Sequence, residues 1–552
     1  MKTTLKGILI SDFTINNLKG YLSNSNSEPR IESILAPFNQ VQQVLLDTQL
    51  ECWAAKPDFA IIWCLPERII PSFGKGSIET VLQETDEFID LLKPLHQRVK
   101  FTLIASFAID PGRFNGLTAL KSKTGIENIL MQMNLRMIEK LNESQGFYLL
   151  DSQRWIASSG TLAFQPKLWY LSKNPFHNSV FEKAAEEIQS SVRGILGLSK
   201  KMIIVDLDDT LWGGILGDIG WENLILGGHD ALGEAYVDFQ RELKILADKG
   251  ILIAIVSKNE EKTALAAIEK HPEMILRKKN IAAWRINWED KAKNITELVK
   301  ELRLGLDSVV FIDDNPVERA RVSESLPDIF VPEMPADKLF YPAFLRSLNC
   351  FNKPFISQED RNRNLLYAEE KNRTENRNSF QSLDEWLSGI GIKIKAERVS
   401  KKNSQRVTQL LNKTNQLNLR TRRMTEQEIL DWDASSDNFM WAFSTSDRFG
   451  DAGLTGIISI SVKGETAFIA DFILSCRVIG RKTEETMLGF ANLQAIKNKC
   501  LFLKAEYLPT DKNNPCFLFF KGSGMRRKDN TFTWDCTAEF KIPPYIHFTY
   551  EV

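Results

Sequence analysis

Short apolar runs separated by longer mixed stretches set the rhythm of the first part of the chain. Residues 7–10, 59–63, 101–105 and 147–150 read as buried strands, with helix-like stretches between them. Such alternation predicts a parallel sheet with crossover helices. The rhythm returns over residues 199–345 with clearer punctuation. Strands are predicted at 202–205, 251–256, 281–285, 309–312 and 329–331. Between the first two, Leu232, Tyr236, Phe239, Leu243 and Leu246 form one helical stripe that stops at Gly250, a natural left-handed cap. Ile295, Leu298, Val299 and Leu302 make a second stripe. A polar stretch, 358–379, predicts a linker or an exposed helix. Beyond it, strand-like segments such as 456–462 and 466–472 dominate. The expected division is 1–190, 199–345, a linker over 346–384, and 385–552, with no internal repeat.

Composition narrows the picture. A chain of 552 residues has room for two to four domains, each with its own core. It is 43% hydrophobic and 26% charged, which is ordinary for a globular protein. A net charge of -1 argues against a general nucleic-acid binder. The seven cysteines form no C-x-x-C pair, so neither a zinc site nor a disulfide framework is suggested. The apolar run at 7–10 is too short for a signal-peptide core, and no run approaches the ~18 residues of a membrane span. Cytoplasmic residence is the expectation.

Chemistry concentrates in the middle region. The predicted strand 202–205 runs straight into Asp206-Leu207-Asp208-Asp209-Thr210. Ligands of open parallel sheets bind beyond the carboxyl ends of the strands. Two carboxylates at i and i+2 there can face one pocket, hold Mg²⁺ through oxygen, and attack phosphorus. The next strand ends in Ser257, whose hydroxyl can bond a phosphoryl oxygen. Lys291 starts a helix and can neutralise charge on a transferred group. The strand 309–312 ends in Asp313-Asp314. Each element alone reads as a turn or a cap. Acid, hydroxyl, base and acid after successive strands, in that order, read as one site.

This ordered set resembles the haloacid dehalogenase (HAD) phosphohydrolases. The resemblance implies Asp206 as nucleophile and Asp208 as acid and base. It implies Ser257, Lys291 and Thr210 as phosphate-binding groups, and Asp206, Asp208 (by its backbone carbonyl), Asp313 and Asp314 around Mg²⁺. Trp212-Gly213-Gly214 and Asp313-Asp314-Asn315-Pro316, with Glu318-Arg319, are similar to the FkbH-like branch, subfamily IIIC. So are Lys413-Thr414-Asn415-Gln416-Leu417-Asn418, 447–451 and 475–481. Little room is left for a cap, so residues 212–226 are expected to act as a small flap. Some relatives load a glyceryl unit onto an acyl carrier protein, and the resemblance implies an acyl-bearing cysteine between the two aspartates. Leu207 stands there and cannot form a thioester. Cys476, inside another family motif, reads as a core cysteine.

The resemblance extends to the flanks. The first region is expected to be SGNH-hydrolase-like but without that activity. Phe13 follows Ser11-Asp12 where the nucleophile belongs, and Asn174 stands for the late aspartate three residues before His177. The last region is expected to be a GNAT-like α+β domain. There Arg477, Gly480, Arg481 and Lys482 would meet an acyl donor, CoA or phosphopantetheine, although Lys482 stands where Gly or Ala is usual. Asn415, Asp447 and Arg448 are candidate pocket residues. The expected whole is thus a multi-domain α/β chain around a Rossmann-like HAD core. It would act as a Mg²⁺-dependent phosphatase or phosphotransferase on a small phosphorylated metabolite, in secondary-metabolite or surface-polysaccharide biosynthesis. Two alternatives stay open: a glyceryl or acyl transferase partnered by an acyl carrier protein or acyl-CoA, and a scaffold with a relic metal site.

Overall fold

A computed structural model describes residues 4–24, 28–112, 116–121, 123–142, 144, 146–228, 230–356, 358–361 and 382–551. Most of the polar stretch after residue 358 lies outside them. By contacts the chain forms two compact units, Met1–Ile195 with Thr425–Ile429, and Leu196–Met424 with Leu430–Val552. The fold class is the expected one, a multi-domain α/β chain with parallel sheets.

The first unit holds a parallel sheet of β1 (Thr4–Ser11), β2 (Arg30–Leu35), β3 (Phe59–Trp63), β4 (Phe101–Ala105) and β5 (Phe147–Leu150), in the order β2-β1-β3-β4-β5. The strand at β2 was not anticipated. It is an edge strand that buries Ile31 and Ser33 in alternation with exposed Arg30 and Glu32, so it lacks the continuous apolar run of its neighbours.

In the second unit, β6 (Met202–Val205), β7 (Leu252–Ser257), β8 (Ile281–Ile286) and β9 (Val309–Ile312) form a parallel sheet in the order β8-β7-β6-β9. Alternation along these strands feeds two cores. Ile203, Val205, Ile253, Ile255, Val310 and Ile312 face one layer. Met202, Ile204, Leu252, Ala254, Val309 and Phe311 face the other. Burial on both faces explains the unbroken apolar runs. The expected strand at 329–331 does not form. Phe330 makes only an isolated bridge to Val310 beside β9. The helix Ala231–Asp248 starts at Asp230, whose carboxylate accepts the Gly233 N–H at 2.9 Å, a cap worth about 1 kcal/mol. Gly250 follows it at φ +79°.

The rest of this unit is a mixed sheet. It contains β10 (Lys393–Arg398), β11 (Leu417–Asn418), β12 (Asn438–Asp447), β13 (Gly450–Lys463), β14 (Thr466–Leu474), β15 (Phe502–Glu506), β16 (Arg526–Lys528), β17 (Thr531–Asp535) and β18 (His547–Tyr550). Its order is β16-β17-β15-β14-β13-β12-β10-β18. The strands β14 and β15 run parallel and pair only over 466–469 of β14. Further along, Ile473 and Leu474 pair instead with Asn418 and Leu417 of β11. Among the described residues no helix is long and apolar enough to cross a membrane.

Candidate active site

Register brings the acidic and polar groups together. Val205 pairs with Ile255 on one side and Ile312 on the other. The residues that follow these strands therefore emerge at one edge: Asp206 after β6 and Asp313 after β9, beside Ser257 at the end of β7. The Asp206 N–H donates to the Ile312 carbonyl at 3.0 Å, which extends the ladder into the site. Lys291 arrives as the first residue of the helix Lys291–Glu301, whose cap is Asp290.

The centre is a buried charge cluster. Lys291 Nζ lies 2.6 Å from Asp313 Oδ2 and 3.1 Å from Asp206 Oδ2. Asp206, Asp313, Ser257 and Lys291 are all buried. Burial, reinforced by the Asp206 charge, pushes the Asp313 carboxyl up to about 6 against the pull of Lys291. Burial raises Asp314 as well, despite its bond from Thr210. For Lys291 burial works downward, but Asp206 and Asp313 outweigh it and raise its pKa. Two carboxylates thus share one lysine, and Asp314 stands beside them without that pairing. Asp206, Asp313 and Asp314 each offer an oxygen within 4.8 Å of the others, and Asp206 Oδ1 is buried without a hydrogen-bond partner. A hard divalent cation such as Mg²⁺ fits this donor set, because it would meet the orphaned oxygen and offset the remaining negative charge.

Asp208 belongs to a second set of contacts. Its Oδ1 accepts from Trp212 Nε1 at 2.9 Å and from the Leu216 N–H at 3.2 Å. Its Oδ2 accepts from Asn259 Nδ2 at 3.0 Å. Its side chain is thus outside the cluster of the other three. Burial raises its pKa although these three donors oppose the rise. The carboxyl is oriented and inclined to hold a proton, as a general acid needs.

Other contacts were invisible in the sequence. The Thr210 hydroxyl was expected on phosphate. Instead it donates to Asp314 Oδ1 and accepts the Asp314 N–H, both at 3.0 Å, and ties the first acidic loop to the last. Asp209 adopts φ +56°, a left-handed turn that swings its carboxylate out toward Lys338, 2.7 Å away. Tyr236 Oη donates to the Asp209 carbonyl at 3.2 Å. Burial acts to raise the Asp209 pKa, but Lys338 and the Gly214 N–H lower it overall. Arg319 Nη1 donates to the carbonyls of Asp313 and Asp314, each at 2.8 Å. Residues 212–226 form a short closed loop, with Gly213 and Ile225 exchanging two backbone bonds at its base. Gly214 sits at φ +94°, where a Cβ would come within 2.5 Å of Ile219 Cδ1.

The flanking candidates are placed differently. Phe13 packs edge-on against Trp63 and Phe176, 5.4 Å from each ring centre. Asn174 caps its own turn at the Phe176 N–H, and His177 meets Ser179. After β14, the Gly480 N–H donates to Glu484 Oε1 at 2.9 Å. Arg481, itself buried, reaches Asp447 Oδ2 at 3.1 Å. Lys482 takes φ +64° and pairs with Glu485 at 2.8 Å. Arg477 Nε donates to Ser475 Oγ at 3.3 Å, and Arg448 stacks on Phe449. Asn415 accepts from Arg423. In the turn expected to meet an acyl donor, the Gly480 N–H is taken by Glu484, and Arg481 and Lys482 pair with Asp447 and Glu485.

Comparison with known proteins adds to this geometry. Residues 7–190 match the domain described as FkbH, N-terminal domain. No curated protein matches the chain. Among solved structures, the chain is similar to the N-terminal part of the protein BF1531 from Bacteroides fragilis, which contains a phosphatase domain and was crystallised with Mg. Identity is 29%, the match covers 64% of this chain and 95% of that one, and the TM-score is 0.59. A GNAT-family acetyltransferase from Staphylococcus aureus Mu50 also matches, at 9% identity over 26% of this chain and 99% of that one. Its TM-score of 0.21 carries no conclusion. The chain thus carries an FkbH-type N-terminal domain and is similar over 64% of its length to the Bacteroides fragilis structure.

Proposed function

We propose that the chain is a HAD-type, Mg²⁺-dependent phosphatase that cleaves a small phosphate ester through an aspartyl-phosphate on Asp206. The observation that carries this is the convergence of Asp206, Asp313, Asp314 and Lys291 at one strand edge, with Asp208 oriented beside them. The phosphatase domain of the similar Bacteroides fragilis structure, and its Mg, support the reading.

In this mechanism an Asp206 oxygen attacks phosphorus in line with the leaving oxygen. Asp208 gives that oxygen its proton. The same carboxylate then takes a proton from water, which attacks the phosphorus of the aspartyl-phosphate and returns Asp206. Ser257 and Lys291 hold the phosphoryl oxygens. Asp206, Asp313 and Asp314 would hold Mg²⁺, which when bound offsets the negative charge of the phosphoryl group. Leu207, fully buried, offers no thiol for acyl transfer, so water is the acceptor in this reading. The pathway, secondary-metabolite or surface-polysaccharide biosynthesis, rests on the FkbH resemblance alone. Phe13 in its aromatic cluster supports an SGNH-like domain without hydrolase chemistry. The filled turn at Gly480 supports a GNAT-like domain used for packing or substrate selection, and disfavours CoA or phosphopantetheine there.

A screen of phosphorylated metabolites with the natural chain and Asp206→Asn, each with and without Mg²⁺, tests the proposal. Phosphate release that needs both Mg²⁺ and Asp206 is expected. Release that persists in Asp206→Asn overturns it.

A further inference from the structure

One residue decides how the chain leaves the first acidic strand. Asp209 lies at φ +56°, in the left-handed region, directly after Asp208. The turn is tight: the Leu207 carbonyl accepts the N–H groups of Thr210 at 3.2 Å and Leu211 at 2.7 Å. It brings the Thr210 hydroxyl onto Asp314, and the Trp212 indole and Leu216 N–H onto Asp208. An extended residue 209 would carry these donors away from both carboxylates. In the left-handed region a Cβ crowds the following carbonyl oxygen, so an L-residue stays there only where its surroundings hold it.

Three groups hold Asp209. Lys338 Nζ lies 2.7 Å from its Oδ1, the Gly214 N–H donates to the same oxygen at 3.2 Å, and the Tyr236 hydroxyl donates to its carbonyl at 3.2 Å. Gly214 belongs to the loop that the turn itself starts, so the outside support comes from Lys338 and Tyr236. These two arrive on one packed frame. Tyr236 is buried in the helix Ala231–Asp248, and Lys338 opens the short turn Lys338–Phe340 that leads into the helix Tyr341–Ser347. The Tyr341 ring meets Tyr236 edge-on at 6.3 Å and Phe239 at 5.8 Å, which fixes that turn against the longer helix. Lys338 thus comes from a segment beyond β9 and its helix, yet reaches back to the first acidic loop.

We propose that Lys338 is a positioning residue of the phosphoryl-transfer centre, holding Asp209 in the left-handed turn that sets the donors on Asp208 and Asp314. Neither Lys338 nor the Asp209 carboxylate touches substrate in this role. Charge balance alone would make a different demand, because Asp209 and Lys338 act on Asp314 with opposite sign. Glycine and alanine at 209 both remove the charge, but only glycine takes a positive φ freely. The kinetic effect of Lys338 rests on the phosphatase reading; the held turn does not.

Full-length chains carrying Lys338→Met, Asp209→Ala, Asp209→Gly, and Asp209→Gly with Lys338→Met are compared in two ways, once each is shown to melt cooperatively. Hydrogen exchange of peptides covering residues 207–216, followed by mass spectrometry without substrate or metal, reads the turn. The alanine and glycine chains lose the same partner of the Gly214 N–H, so the difference between them isolates the backbone. Exchange should be about 5- to 30-fold faster in Asp209→Ala than in Asp209→Gly, as expected for alanine held left-handed. Lys338→Met should quicken it about three- to tenfold over the natural chain and add nothing in the glycine background. On any ester the screen finds, kcat should fall in the same order with KM within about twofold. Unchanged exchange in Lys338→Met, Asp209→Gly no better than Asp209→Ala, or the double variant no better than Lys338→Met alone, overturns the proposal. Absence of any turnover that depends on Asp206 would instead remove the phosphatase reading, and the exchange result would still decide whether Lys338 holds the turn.

Discussion

Asp206 and Asp208 sit two residues apart, yet the fold gives them opposite surroundings. Asp206 faces Lys291 and keeps one oxygen without a hydrogen-bond partner. Asp208 is held by Trp212, Leu216 and Asn259. Replacing Asp206 by Asn should lower kcat at least about 10⁴-fold with little change in melting temperature, as expected when a nucleophile is lost. Asn259→Ala removes one of three donors on Asp208. It should lower kcat roughly 10- to 100-fold and leave KM within about twofold, as expected for a group that orients a general acid. Steady-state kinetics on any ester the screen finds will check both, and an unchanged kcat in Asn259→Ala would remove that residue from the machinery.

At the scale of single elements, the end of β1 carries a buried carboxyl. Burial pushes Asp12 up to about 7 from an ordinary 3.8, against the Leu65 N–H and Arg68. In the unfolded chain it loses its proton near 3.8, while in the folded chain it keeps the proton until about 7. Between those values the folded state binds more protons, so stability falls as pH rises and levels off above about 7. The loss amounts to at most about 4 kcal/mol. Asp12→Asn should remove this slope. Denaturant midpoints of the two proteins between pH 4.5 and pH 8 (roughly the window between the two pKa values) should therefore diverge as pH rises, and parallel curves would count against it.

Elements also differ in how openly the sequence announces them. The strands β3, β4, β6 and β9 are buried throughout, and their apolar runs could be read directly. The edge strand β2 hides in an alternating pattern, and the run at 329–331 imitates a strand because Phe330 alone bridges to β9 and the ladder goes no further. The acidic loops were legible because each follows a strand. Asn259 and Lys338 were not, because their partners lie 51 and 129 residues away in sequence. Thr210 was placed on phosphate because nothing local shows that Asp314 occupies its hydroxyl.

For the whole molecule, every residue of the proposed phosphatase centre falls in the second contact unit. A chain starting at residue 196 should keep Mg²⁺-dependent turnover of a simple phosphate ester within about fivefold of the full chain, as expected of a unit with its own core. Loss of all turnover from a fragment that still melts cooperatively would give the first unit a part in the chemistry. Mg²⁺ should also raise the melting temperature of the full chain in proportion to RT ln(1 + [Mg²⁺]/Kd), because it binds only the folded carboxylate cluster. Chelation should reverse the rise, and Asp313→Asn should abolish most of it. Calorimetry with and without chelator measures both.

The carboxylate of Glu484 has a last consequence. It sits four residues from the Gly480 N–H it accepts, on the first turn of the helix Thr483–Lys497. A group carried on the same turn cannot diffuse away, and burial pushes this carboxyl up to about 7, so it meets that N–H with only part of a charge near neutral pH. Any diphosphate arriving from solution competes with a resident that is always at hand. The turn behaves as a lock whose key was cast into the chain.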